Sequence, residues 1–120
     1  LGDCHAIQGD GEYNGMGAIE IAAVLTVQVS LSPAPSRLTW PRIETPTHIC
    51  TTGCARPLED AMRIAFEEMV FWMEEEYAIP APEGYMLLGQ IAEARCTQMV
   101  NPKYTYICKV SKDVLAAFQS

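Results

Sequence analysis

Basic residues are scarce in this 120-residue sequence: Lys and Arg number 8 against 15 Asp and Glu, for a net charge of −7. A field of that sign repels a phosphate backbone, so nucleic acid is excluded as a partner. Long apolar runs are lacking too. Each is short and broken by Glu, Gln or Thr, so no segment is expected to span a bilayer. No basic-then-apolar leader opens the sequence, and no export is expected. The cysteines do not form a disulfide framework. There are 5, an odd count at unsuitable spacings, which points to reduced thiols and a cytoplasmic setting. An initiator Met is absent. Leu1-Gly2-Asp3 leads at once into the densest cluster of functional residue types, and natural domains rarely place chemistry on a fraying end, so further chain is expected before Leu1.

What is present is an ordinary globular composition, 49% hydrophobic and 19% charged, enough for one domain over residues 1–120 with a sizeable core. From Ala18 to Leu31 apolar and polar positions alternate. Ile19, Ile21, Ala23, Leu25, Val27, Val29 and Leu31 share one face, which predicts a long strand ended by Pro33-Ala34-Pro35-Ser36. Leu38 to Ile43 and Thr47 to Thr51 read as shorter strands, confined to edges or bulges by Pro41 and Pro46. Pro57 to Tyr77 is the clear helix: Leu58, Met62, Ala65, Phe66, Met69, Met73 and Tyr77 recur at helical spacing, and Glu59 and Asp60 suit the positive end of its dipole. Glu83 to Ile91 predicts a shorter helix, weakened by Gly84 and Gly89. Ala94 to Val100 and Tyr104 to Val110 predict paired strands joined across Asn101-Pro102, and Ser111 begins a last helical turn. This order of strands, helices and strands implies an α+β fold: a mainly antiparallel, sandwich-like sheet with one long helix and one or two short ones.

The chemistry concentrates at the start. Asp3 and His5 are two apart, so on an extended backbone they project to the same side and can reach one cation. Asp10 and Glu12 repeat the spacing around Gly11, where glycine lets the backbone turn sharply. Glu20 follows on the predicted strand. Mixed oxygen and nitrogen donors suit zinc or another divalent transition metal, which lowers the pKa of bound water to about 7 and polarises an amide carbonyl. A remaining carboxylate can move the protons. The competing reading is a polar turn whose acids face solvent. An EF-hand is excluded: starting the loop at Asp10 puts Ile21 where its bidentate Glu belongs.

Gly2-Asp3-Cys4-His5, Gln8-Gly9-Asp10-Gly11-Glu12 and Ala18-Ile19-Glu20 resemble the signature of the acetamidase/formamidase family. The resemblance continues through Trp40-Pro41-Arg42, Glu44-Thr45-Pro46 and His48, the acidic helix from Leu58, and Tyr85-Met86-Leu87-Leu88. It implies a β-sandwich-like fold with added helices, and hydrolysis of formamide, acetamide or similar small linear amides to a carboxylate and ammonia. It makes Asp3 and His5 metal ligands, with Glu20 or Asp10 completing the site, zinc the expected metal and calcium its alternative. Glu12 is chosen as general base within the motif, with Asp10 and His48 as further catalytic candidates. The resemblance is to the C-terminal part of much longer proteins. The chain is therefore expected either to associate with a missing N-terminal half or with further copies of itself, or to be a shortened, catalytically silent relative.

Other features carry weaker signals. His48, Cys50 and Cys54 imitate a zinc group without a fourth ligand, and the thiols read better as small core residues. Cys4 adjoins His5, but neighbours on a strand point to opposite faces, which argues against a thiol nucleophile. Arg42 and Glu44 read as a surface ion pair. Glu74-Glu75-Glu76 reads as a solvated face, or alternatively as a contact for basic residues of another chain.

Overall fold

Glycine and alanine decide how closely the long helix approaches its sheet. In the computed structural model, which describes residues 4–118, α1 (Leu58–Tyr77) lies across β4 (His48–Ala55). A Cβ on Gly53 would stand 2.0 Å from the Ala61 carbonyl oxygen, so only glycine fits there. Ala61 and Ala65 are fully buried at the same contact, and the Thr51 hydroxyl donates to the Ala65 carbonyl at 2.6 Å.

The sheet under α1 is four-stranded and antiparallel, ordered β3 (Arg42–Glu44), β4, β6 (Tyr104–Ser111), β5 (Glu93–Gln98). One face of β4, carrying Ile49 and Thr51, joins Met69, Trp72, Met73, Cys108, Val110 and Leu115 in the core. The second helix, α2 (Ala81–Ile91), contributes Leu88, and α3 (Lys112–Ala116) contributes Leu115. The α+β class, the antiparallel pairing and the long helix with shorter ones are as the sequence predicts.

A second sheet stands apart. β1 (Cys4–Ile7) pairs antiparallel with β2 (Ile19–Ile21) as a two-stranded ribbon. The strand expected through Leu31 stops at Ile21, and residues 22–32 have no regular structure. A strand exists only where a neighbour accepts its backbone hydrogen bonds, and among the described residues none runs beside this segment. Its apolar side chains are consequently exposed, from 62% at Leu25 to 101% at Leu31.

The link from this segment to β3 is tied to α1 by charge. Glu68, with no exposed surface, accepts from the Thr39 amide and hydroxyl, the Trp40 amide and Arg42 Nε. Arg42 also reaches Glu75 at 3.1 Å and lies over the Trp72 ring. Arg42 is therefore not the partner of Glu44, which pairs with Lys112 at 2.5 Å. The acidic run is not merely a solvated face either: Glu75 binds Ser36 and the Arg37 amide, and Glu74 binds the Arg37 guanidinium, all within this chain. In sequence Glu44 is the near candidate for Arg42; packing on α1 favours the distant one.

Candidate active site

The β1–β2 ladder sets His5 directly opposite Glu20. Directly opposed residues share a face of the ribbon with Cβ atoms about 4.5–5.5 Å apart, so an imidazole and a carboxylate fifteen positions apart in sequence become neighbours. Both are exposed. His5 Nδ1 lies 2.6 Å from the Gln8 side-chain oxygen. With that oxygen as acceptor Nδ1 carries the proton, and Nε2 keeps the lone pair a cation would take. Cys4 pairs instead with Ile21 on the alternate position.

Past β1 the chain turns back through a loop that encloses a cavity of about 250 Å³, lined among others by Gln8, Gly9, Asp10, Glu12 and Asn14. Gly11 and Glu12 both have positive φ, 95° and 32°. The Glu12 amide donates to the Gly9 carbonyl at 3.2 Å and its carbonyl accepts from the Met99 amide at 3.3 Å, which holds this unfavourable conformation in place. Gln8 belongs both to the cavity and to His5, and so connects the ribbon pair with the acidic loop.

Asp10 is also held from outside the motif. Arg95 on β5 donates to it at 2.9 Å, and that hydrogen bond raises the Arg95 pKa above its ordinary value. Arg95 carries no local sequence signal, because only the fold brings it to Asp10 across 85 positions.

Of the expected ligands, His5 and Glu20 are brought together, while Asp3 lies outside the described residues. Among the described residues, no three His, Cys, Asp or Glu side chains converge as a cation requires. The pair therefore fits a metal only in part, as two donors on one face with a histidine oriented by its neighbour.

His48 is placed in a different group. Its Nδ1 is 2.8 Å from the Thr47 hydroxyl and its Nε2 is 3.7 Å from Glu93, which in turn binds Lys109 at 2.8 Å. That lysine hydrogen bond holds the Glu93 carboxyl below its usual range. Cys50 is buried and burial raises its thiol pKa, while the Cys54 sulfur accepts a 3.8 Å hydrogen bond from Thr105. The thiols therefore behave as structural side chains rather than as zinc ligands.

No family model and no curated protein matches the sequence. Solved structures do. An acetamidase from Yersinia enterocolitica superimposes on 66% of the chain with 40% identity and a TM-score of 0.63. This stretch is related to the acetamidase/formamidase family. An acetamidase from Bacillus halodurans matches 67% of the chain at 25% identity and TM-score 0.59. A predicted acetamidase/formamidase from Thermoanaerobacter tengcongensis, at 19% identity and TM-score 0.57, shares the fold. The acetamidase-related chain spans only 24%, 27% and 26% of these three proteins, respectively.

Proposed function

We propose that this chain carries the proton-handling part of a hydrolase of short linear carboxamides, releasing a carboxylate and ammonia. The observation that carries the reading is the His5–Glu20 pair, linked through Gln8 to the cavity that holds Asp10 and Glu12. The 40% identity to an acetamidase over two-thirds of the chain supports it.

The chemistry follows from the residues. Gln8, whose amide both donates and accepts, suits the carboxamide group of a substrate in the loop cavity. Glu12 is the general base, taking a proton from the attacking water and returning it to the leaving nitrogen, which departs as ammonia. Arg95 fixes the Asp10 carboxylate beside it. His5 and Glu20, with Asp3, are the residues that would hold a divalent metal, zinc before calcium. When bound, that metal polarises the carbonyl and lowers the pKa of water. His48 stands with Glu93 and Lys109, and its role in this reading is outside the proton path.

The test is ammonia release from formamide and acetamide. Glu12→Gln, which keeps shape and removes the base, is expected to lower kcat by about 10²-fold or more with metal content unchanged. Full activity in that variant removes Glu12 from its role.

A second reading is favoured by one observation, the coverage of only about a quarter of the solved relatives. In it the chain alone is silent and turns over amide only once another polypeptide supplies the walls that position substrate and exclude water. A folded protein that binds metal yet releases no ammonia selects this reading.

A further inference from the structure

The acidic loop sits against the open edge of β5. This strand is last in the order β3-β4-β6-β5, so one side of its backbone has no partner in that sheet. Three consecutive loop residues are held there, each by a different group. Arg95 Nη1 donates to Asp10 Oδ2 at 2.9 Å. Gly11 forms a parallel bridge with Gln98, whose other side pairs with Thr105 of β6. The Met99 amide, just past β5, donates to the Glu12 carbonyl at 3.3 Å.

We propose that Arg95 is a positioning residue: through Asp10, and together with the backbone seat on β5, it sets where Glu12 presents its carboxylate. The inference rests on the hydrolase reading for what Glu12 does, and on the geometry of this edge for how Glu12 is placed. A segment fixed at one point can swing, whereas attachments at residues 10, 11 and 12 fix its orientation. The backbone requires such restraint. Gly11 at φ 95° and Glu12 at φ 32° lie in the left-handed region, which a glutamate keeps only where its surroundings constrain it. The bond from the Glu12 amide to Gly9 is internal to the loop, so it shapes the turn without placing it on the sheet. Of the three links to β5, only Arg95 depends on a side chain. The rival carboxylate, Glu93 two residues earlier on the same strand, is taken by Lys109 at 2.8 Å, which leaves Arg95 to Asp10. At exposures of 55% and 48% this pair adds little stability, so what it contributes is direction rather than strength. Direction matters to a general base, which must lie within hydrogen-bond reach of its proton; a misplacement of about 1 Å can cost about 10²-fold in rate.

Hydrogen exchange of the Met99 amide, which donates to Glu12, is the first readout and needs no turnover. Arg95→Met is expected to speed it about tenfold, with the amides of β4 and β6 unchanged. Arg95→Lys is expected to stay near wild type, because Arg95 reaches Asp10 through a single nitrogen that an ammonium can replace. Asp10→Asn should speed the exchange as Arg95→Met does, and the double variant no further, since both changes break one link. Arg95→Ala reports the same loss if the methionine variant misfolds. Ammonia release from acetamide is the second readout. Arg95→Met is expected to lower kcat about tenfold with KM within about twofold of wild type, and Arg95→Lys to recover most of the loss. Met99 exchange unchanged in Arg95→Met overturns the proposal. So does a double variant that exchanges faster than either single one, which would mean that Arg95 does not act through Asp10, and so does a loss of kcat that lysine fails to recover. A wild-type chain that releases no ammonia counts against the hydrolase reading of the chain alone, and the exchange series still decides whether Arg95 places the loop.

Discussion

A carboxylate with no exposed surface needs its own solvation from the protein, and Glu68 obtains it from donors on Thr39, Trp40 and Arg42. Arg42 is itself only 8% exposed, so removing its partner strands a buried charge. Glu68→Ala is expected to cost about 3–5 kcal/mol in urea unfolding. An effect below about 1 kcal/mol would mean that water reaches Arg42 and the pair is not sealed. The thiols follow the same logic of burial. Burial pushes the Cys108 thiol up to about 12 and raises Cys50 as well, so at about pH 8 neither holds appreciable thiolate. Native alkylation with iodoacetamide at that pH should spare both and modify them only after unfolding. Rapid labelling of Cys108 in the folded protein would contradict its place in the core.

At the scale of elements, the glycines separate into two kinds. Gly53 supports close contact between α1 and β4, and its replacement by alanine forces backbone against backbone. Gly53→Ala should lose about 3 kcal/mol. Gly89 lies in α2, exposed, and a Cβ added there would meet nothing within 4 Å, so Gly89→Ala should gain about 0.5–1 kcal/mol from lost unfolded-state freedom. Thermal melts of the two variants moving in the same direction would refute this division. The helices, β5 and β6 were legible because their period is local: α1 spans Leu58–Tyr77 where the apolar stripe predicts 57–77, and β6 spans Tyr104–Ser111 where alternation predicts 104–110. By contrast β4, expected at an edge and only through Thr51, is an inner strand that runs to Ala55 between β3 and β6. The strand predicted over 18–31 is not realised beyond Ile21. Its alternation specifies which side chains share a face, but hydrogen-bond partners come from elsewhere.

For the whole molecule, stability is unevenly distributed. β4, β6 and α1 share the buried core, whereas the arm of residues 22–31 contributes no buried side chain. Amides of residues 22–31 should exchange at the earliest measurable times, while those of β4 and β6 persist to global unfolding. Protection of this segment would show that it is packed rather than exposed. The same distribution bears on catalysis. His5, Glu20 and Asp10 are exposed, so the site as it stands lacks the enclosing walls that strengthen electrostatic interactions and exclude water. Under the proposed hydrolase reading, ammonia release from acetamide by the chain alone is accordingly expected to be slow beside that of a completed site.

The sequence by itself determined the α+β class, the long helix and the resemblance to acetamidases, because residue periodicity and motif spacing are properties of neighbours along the chain. Only the tertiary structure decided that His5 faces Glu20, that Arg95 holds Asp10, that Arg42 turns to Glu68 rather than Glu44, and that His48 stands apart with Glu93 and Lys109. Each of these depends on strand register and helix placement between distant segments. A charged side chain selects its partner by proximity in the folded molecule, and proximity of that kind is not written in local spacing.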